Sequence, residues 1–252
     1  MKVGLFIPCT MDMLFPDAGM ATLELLEKHG VDVEYPSEQT CCGQPMANSG
    51  CNVDAKKSAA HFIETFKQYD YIVSPSGSCA AMVRLHYKGL VTNDAAYEHV
   101  TSNTYELCEF LVDVLKVKKL DASFPHKVGY HSSCHGQRGL RLASGSERNV
   151  ESFSKPISLL KMIDGVELTD LARQDECCGF GGTFSVTEES VSCSMGNDRV
   201  NDHLAHGAEV ITSTDPTCVM HMDGLSRRNK QPIKVMHIAE LLNGATLEGV
   251  KK

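Results

Sequence analysis

Long apolar runs are missing from this 252-residue sequence. The longest candidates are short stretches such as Val3 to Pro8, far below the roughly 18 residues that a membrane-spanning helix needs, so the chain reads as soluble and not membrane-spanning. Clustered positive charge is missing too. The 32 acidic and 24 basic side chains give a formal net charge of −8 with no Lys/Arg run, which argues against nucleic acid as a partner because phosphate binding needs concentrated positive charge. At the N-terminus one lysine precedes Val3-Gly4-Leu5-Phe6-Ile7-Pro8, too short for the apolar region of a signal peptide, and the expected location is cytoplasmic. There is no phosphate loop, no G-x-G-x-x-G after a strand and no Ser-His-Asp arrangement with local motif support, so nucleotide and hydrolase readings have no foothold.

Cysteine, by contrast, is abundant: eleven residues. A reducing compartment argues against disulfides, which makes metal or redox chemistry the leading question.

The same order of features occurs twice. Lys2-Val3-Gly4-Leu5-Phe6-Ile7-Pro8-Cys9, Cys41-Cys42-Gly43 and Tyr71-Ile72-Val73-Ser74 leading to Cys79 are matched by Lys127-Val128-Gly129-Tyr130-His131-Ser132-Ser133-Cys134, Cys177-Cys178-Gly179 and Glu209-Val210-Ile211-Thr212 leading to Cys218. The expected division is therefore a first cysteine-rich domain over 1–120 and a second over 121–252, with the polar stretch 118–124 before Pro125 as linker. In the first half, apolar runs at 3–7, 31–35 and 71–74 read as strands. Stretches 18–29, about 52–69, 80–87 and 105–115 read as helices. The second half repeats this with strands near 127–131, 165–168 and 208–213, a helix over about 187–206, and a last strand and helix near 233–236 and 237–243. Alternation of this kind predicts an α/β fold: two pseudo-symmetric β-α-β-type halves, each a small parallel sheet flanked by helices, joined by right-handed crossovers.

On that reading Cys9 and Cys134 follow the first strand of each half, the paired cysteines follow the second by a short loop, and Cys79 and Cys218 follow the third. Ligands bind at the carboxyl ends of strands in open parallel sheets, so each half converges four thiols on that edge. Four thiolates around one point suit an iron–sulfur cluster or a Cys₄ zinc. The intervals of 31 and 36 intervening residues in the first half, and 42 and 39 in the second, are unlike zinc-ribbon or ferredoxin loops. The fold must assemble these sites. Neighbouring side chains on a strand point oppositely, and a polynuclear cluster tolerates adjacent cysteines better than a single ion does. Gly43 and Gly179 after each pair allow unusual backbone dihedrals and N–H groups directed at sulfur.

Taken together, the Cys…Cys-Cys-Gly…Cys pattern given twice, Ser-Gly-Ser-Cys-Ala-Ala-Met at 76–82, Cys-Cys-Gly-Phe-Gly-Gly at 177–182 and Asp-Pro-Thr-Cys at 215–218 resemble the CCG (cysteine-rich) domain family over nearly the whole chain. That family includes the cysteine-rich subunit of heterodisulfide reductase, the iron–sulfur subunits of glycolate oxidase and anaerobic glycerol-3-phosphate dehydrogenase, and lactate utilization protein A, which this pattern is most similar to. The resemblance implies an iron–sulfur electron-transfer subunit of a multi-subunit oxidoreductase that oxidises L-lactate to pyruvate, inactive alone, with a ferredoxin-like iron–sulfur subunit and a third subunit as partners. It implies a [4Fe–4S] cluster held by Cys9, Cys41, Cys42 and Cys79 and another by Cys134, Cys177, Cys178 and Cys218, with zinc in one half as the fallback. The heterodisulfide reductase member of the family ends each motif with Cys-x-x-Cys; here Ser76 and Asp215 hold the first of those positions, which leaves an oxygen ligand from either open but less usual, so its five-cysteine cluster is not assumed. A reductase acting directly on a disulfide or quinone at the cluster, and a zinc-binding scaffold, are the rivals.

Cys108 lies in a helix-like stretch and reads as a small buried hydrophobe, while Cys51 and Cys193 follow the Cys-Cys-Gly loops as spare ligands if those loops fold back. His131 and His135 flank Cys134 with no counterpart in the first half, which points to hydrogen bonding at one centre. Arg138 and Arg141 read better as a solvated face than as a carboxylate clamp.

Overall fold

A computed structural model describes residues 1–247; residues 248–252, the end of the expected second domain, lie outside the described residues. Among the described residues, eight strands form two four-stranded parallel sheets. The first sheet contains β1 (Lys2–Leu5), β2 (Asp32–Glu34), β3 (Tyr71–Ser74) and β4 (Thr104–Glu106) in the order β2-β1-β3-β4. The second contains β5 (Lys127–His131), β6 (Glu167–Leu168), β7 (Val210–Ser213) and β8 (Lys234–His237) in the order β6-β5-β7-β8. The α/β class and the two similar halves are as the sequence predicts.

This order matters for the site. From β1 the chain turns one way to β2 and then crosses to the other side for β3, so the strand order reverses between β1 and β3, and likewise between β5 and β7. Such a reversal opens a crevice at the carboxyl ends of the two central strands. Cys9 and Cys79 follow β1 and β3, and Cys134 and Cys218 follow β5 and β7.

Crossovers are made by Pro16–Lys28 and Asn52–Phe66 in the first half and by Lys155–Leu160 and Glu189–Ala205 in the second. Proline in the first turn opens the first of these helices, where its fixed φ suits the helix and its missing N–H is not needed. Alternate faces of β1 feed two cores: Val3 and Leu5 enter one with Leu25 and Leu26, whereas Phe6 beyond the strand enters another with Phe62 and Phe66.

Two expectations need correcting. Residues 105–115 are not helical throughout, because Thr104–Glu106 pairs with β3 as a fourth strand and the helix begins at Leu107. The 118–124 connection is not a plain polar linker either: Leu120 and Phe124 are buried, and the Phe124 N–H donates to the Asp164 carbonyl at 2.8 Å.

One core spans the halves. It combines Leu5, Leu25 and Leu26 with Leu107, Phe110 and Leu111, and with Leu159, Leu160, Leu241 and Leu242. The exchange is reciprocal: Leu107–Glu109, after β4, packs on Lys155–Leu160 of the second half, and Ile238–Leu242, after β8, packs on Pro16–Lys28 of the first. Among the described residues no helix is long and apolar enough to cross a membrane.

Candidate metal centre

All eight repeated cysteines line a single cavity of about 400 Å³ between the halves. Within it the thiols are paired in the same way twice. Cys9 Sγ lies 3.7 Å from Cys41 Sγ, and Cys42 Sγ lies 3.4 Å from Cys79 Sγ. In the other half Cys134 faces Cys177 and Cys178 faces Cys218, close enough to shift one another's pKa. Adjacent cysteines thus each have a different partner across the site, besides one another.

Glycine makes that possible. Gly43 and Gly179 adopt φ of 85° and 86°, the left-handed region that favours a residue without Cβ. The chain folds back so that the Gly179 N–H donates to Cys177 Sγ at 3.3 Å, and the Gly43 N–H faces Cys41 in the same way and lowers its pKa. Hydrogen bonds from Cys42 and Cys9, and then from Gly43, hold the Cys41 thiol down to about 3; Cys177 is held down to about 2 by Cys134 and Cys178. That direction favours the thiolate, the form that binds metal.

Helix starts deliver the remaining sulfurs. Cys79 lies in the first turn of Gly77–Ala81, capped by Ser76, whose Oγ accepts from the Cys79 N–H at 3.3 Å. Cys218 lies in the first turn of Pro216–Arg228, capped by Asp215. These caps account for the two positions where a fifth thiol is absent. Asp215 Oδ1 accepts from the Thr217 N–H at 3.0 Å and from its hydroxyl at 2.6 Å, while Oδ2 reaches across to accept from the Ser78 N–H of the first half at 2.6 Å. The Gly77 N–H donates to the Thr214 carbonyl at 3.1 Å. The loops after β3 and β7 are therefore bolted back to back, and both side chains at these positions are engaged as caps.

Cys108 is fully buried in the shared core, as its helix-like context suggests. Exposed Cys51 stands before the helix Asn52–Phe66, and half-buried Cys193 lies within Glu189–Ala205; the cavity lining does not include them. His135 lines the cavity, 3.5 Å from Gln44 Nε2, and it opens a π-helical turn, His135–Gly139, a geometry frequent at functional sites. Arg138 instead pairs with Glu147 at 3.1 Å in a separate depression shared with Arg141.

His131 is buried at the end of β5, and the nearest of its ring nitrogens and the Sγ atoms of Cys178 and Cys218 all lie within 4.8 Å of one another. Burial, with the charge of Arg199, holds its imidazole down to about 4. Four thiols at each end of the cavity, and a buried imidazole that has no partner among the described residues, form a donor set that fits soft-metal or iron–sulfur binding.

The cysteine-rich domain model of the CCG family matches residues 3–84 and 128–223. This chain belongs to that family. The two matched segments each contain one set of the repeated cysteines. Among its relatives are proteins named lactate utilization protein A from Exiguobacterium sp., 46% identical over 257 residues covering 100% of this chain and 99% of the relative, and from Halalkalibacterium halodurans, 44% identical over 247 residues covering 96% and 97%. A third, from Shouchella clausii, is 45% identical over 247 residues, covering 96% and 99%. Solved structures give weaker likenesses, such as an aspartate racemase homologue from Pyrococcus horikoshii at 9% identity and a TM-score of 0.32, covering 96% and 95% of the two chains.

Proposed function

We propose that this member of the CCG family is the iron–sulfur electron-transfer subunit of a multi-subunit, cytoplasmic system that oxidises L-lactate to pyruvate, with a ferredoxin-like subunit and a third subunit as partners. The observation that carries the reading is the convergence of eight cysteines, four from each half, on one cavity; the relatives' shared name supplies the substrate. In this reading Cys9, Cys41, Cys42 and Cys79 hold one [4Fe–4S] cluster and Cys134, Cys177, Cys178 and Cys218 the other. When bound, such a cluster takes up and gives back single electrons. The chain's own part is to present thiolates, as Gly43 and Gly179 do for Cys41 and Cys177, and to bury Cys42 and Cys178 away from water.

The shared cavity also favours a second reading, a reductase whose disulfide or quinone substrate meets both centres directly. Partner dependence separates the two: electron transfer that needs the ferredoxin-like subunit supports the first, and disulfide reduction by the isolated loaded chain supports the second.

The deciding experiment is oxygen-free purification followed by iron, sulfide and zinc analysis with visible and electron paramagnetic resonance (EPR) spectra. About eight iron and eight sulfide per chain is the expected result for two four-iron clusters. Zinc without iron would sink the electron-transfer reading and leave a structural scaffold.

A further inference from the structure

Aligning the two halves strand by strand and helix by helix brings out a chemical exchange next to the thiols. Lys2 pairs with Lys127 at the start of β1 and β5, so Phe6 corresponds to His131. The helices Asn52–Phe66 and Glu189–Ala205 begin at corresponding positions, which pairs Phe62 with Arg199 and Phe66 with His203. Packing supports that register: a Cβ on Gly4 would meet Phe66 and Tyr69, and one on Gly129 would meet His203 and Ala208.

In the first half these three positions build an aromatic wall. Phe6 stands edge-on to Phe62 with centroids 4.8 Å apart, and Phe62 stacks on Phe66 at 4.5 Å. In the second half the same volume holds His131, Arg199 and His203, all essentially inaccessible to solvent. Arg199 donates through Nη2 to Asp202 Oδ2 at 2.5 Å and through Nη1 to the Arg173 carbonyl, while its Nε has no partner among the described residues. Neither ring nitrogen of His131 has a partner among the described residues. His203 shares this lack of a partner; a buried N–H left unpaired is costly, so an imidazole kept where the repeat keeps a phenyl calls for an acceptor that a bound centre can supply. The Sγ atoms of Cys178 and Cys218 lie 4.8 Å or less from the nearest ring nitrogen, not hydrogen-bonded to it here but at the place where a bound centre would bring sulfur.

We propose that His131 donates a ring N–H hydrogen bond to sulfur at the second centre and thereby sets the reduction potential of that centre above that of the first. An imidazole carries at least one N–H in either protonation state, whereas Phe6 has none to offer. Hydrogen bonds to cluster sulfur draw off negative charge and favour the reduced, more negative state. The consequence is a built-in direction: electrons settle preferentially at the Cys134/Cys177/Cys178/Cys218 end of the cavity. His131 acts through the sulfur ligands, and Arg199 with Asp202 positions the ring's surroundings. The inference rests on the electron-transfer reading above.

The test is an oxygen-free redox titration of the full-length, cofactor-loaded chain, followed by EPR, with Cys134→Ser used to assign the second-half signal. Two midpoints are expected, the higher belonging to the second half. His131→Phe, which writes the first half's residue into the second, is expected to lower that midpoint and leave the other signal and the iron content unchanged. His131→Gln, which keeps an N–H donor of similar reach, is expected to recover most of the loss. An exchangeable-proton coupling on the second-half signal, measured by electron–nuclear double resonance, is expected in the wild type and absent from the Phe variant. That coupling keeps the proposal testable if the Phe variant folds poorly, since its absence from the wild type would overturn it. Unchanged midpoints with iron retained would overturn it, as would loss of iron from the second half in both variants, which would make His131 a ligand. A wild-type protein without iron would instead remove the electron-transfer reading, and the inference with it.

Discussion

Gly179 shows how one residue type is forced by the site's own chemistry. Its φ of 86° turns the N–H toward Cys177 Sγ, and a Cβ there would lie 2.7 Å from both Met195 Cβ and the Ser192 carbonyl oxygen. Gly179→Ala is expected to destabilise the fold by about 1–3 kcal/mol from left-handed strain and the displaced helix, read as a lower denaturant midpoint. Gly43→Ala meets softer neighbours, with Ser58 Cβ at 3.1 Å, and the smaller loss is expected there. The cysteines and these glycines were legible because their chemistry belongs to the residue type and recurs twice. The task of Asp215 was not, since its partner, the Ser78 N–H, lies 137 positions away. Asp215→Ala leaves that buried donor unpaired and removes a helix cap, for an expected loss of roughly 2–4 kcal/mol. Ser76→Ala, losing one 3.3 Å cap bond, is expected to cost about 1 kcal/mol or less, and equal losses in the two variants would refute the bolt between the halves.

Elements carried by tertiary pairing were the hardest to read. Thr104–Glu106 has three residues and runs straight into the helix Leu107–Glu109, so its apolar positions fell into the helical period; what makes it a strand is its ladder to β3. Helices such as Pro16–Lys28 carried their own period and were read to within a few residues. The end of this missed strand also holds a titrating cap. Glu106 Oε2 accepts from the Cys108 N–H at 2.8 Å and the Glu109 N–H at 3.2 Å, and burial pushes its carboxyl from 4.5 up to about 8. Between those values the folded state holds a proton that the unfolded chain has released. Its stabilising contribution is therefore fully present below about pH 4.5 and is lost as pH rises through about 8. Glu106→Gln keeps an acceptor for both N–H groups and cannot titrate. The expected result is that the variant's denaturant midpoint exceeds that of wild type by a margin that widens from about pH 5 to about pH 8.5; a constant gap across that range would rule out the cap as the titrating group.

At the scale of the whole chain, the duplication visible in the sequence did not reveal that each repeat completes the other. A repeat shows which residues correspond, while the placement of Leu107–Glu109 and Ile238–Leu242 depends on which half offers an uncovered helix face. Each of these helices packs across on the other half. Asn243, just beyond the second, accepts from Lys28 Nζ at 2.7 Å through Oδ1 and donates to Glu24 Oε2 at 2.7 Å through Nδ2. Those polar contacts are exposed and set register more than stability. The energy lies in the apolar layer beneath, where Leu111 and Leu241 are fully buried in one core with Leu25, Leu160 and Phe124. Truncating either leucine to alanine is expected to cost about 2–5 kcal/mol. Because the core is common property, Leu111→Ala is expected to weaken the second half as much as the first, although the strand that precedes it, β4, belongs to the first sheet. Hydrogen exchange followed at β1 and β5 amides during denaturant unfolding separates the cases. Coincident loss of protection at both sheets, shifted together by either substitution, is what a shared core requires; a shift at β1 with β5 unmoved would mean that the halves unfold as separate units and that the eight-cysteine cavity is a contact between two independently stable domains.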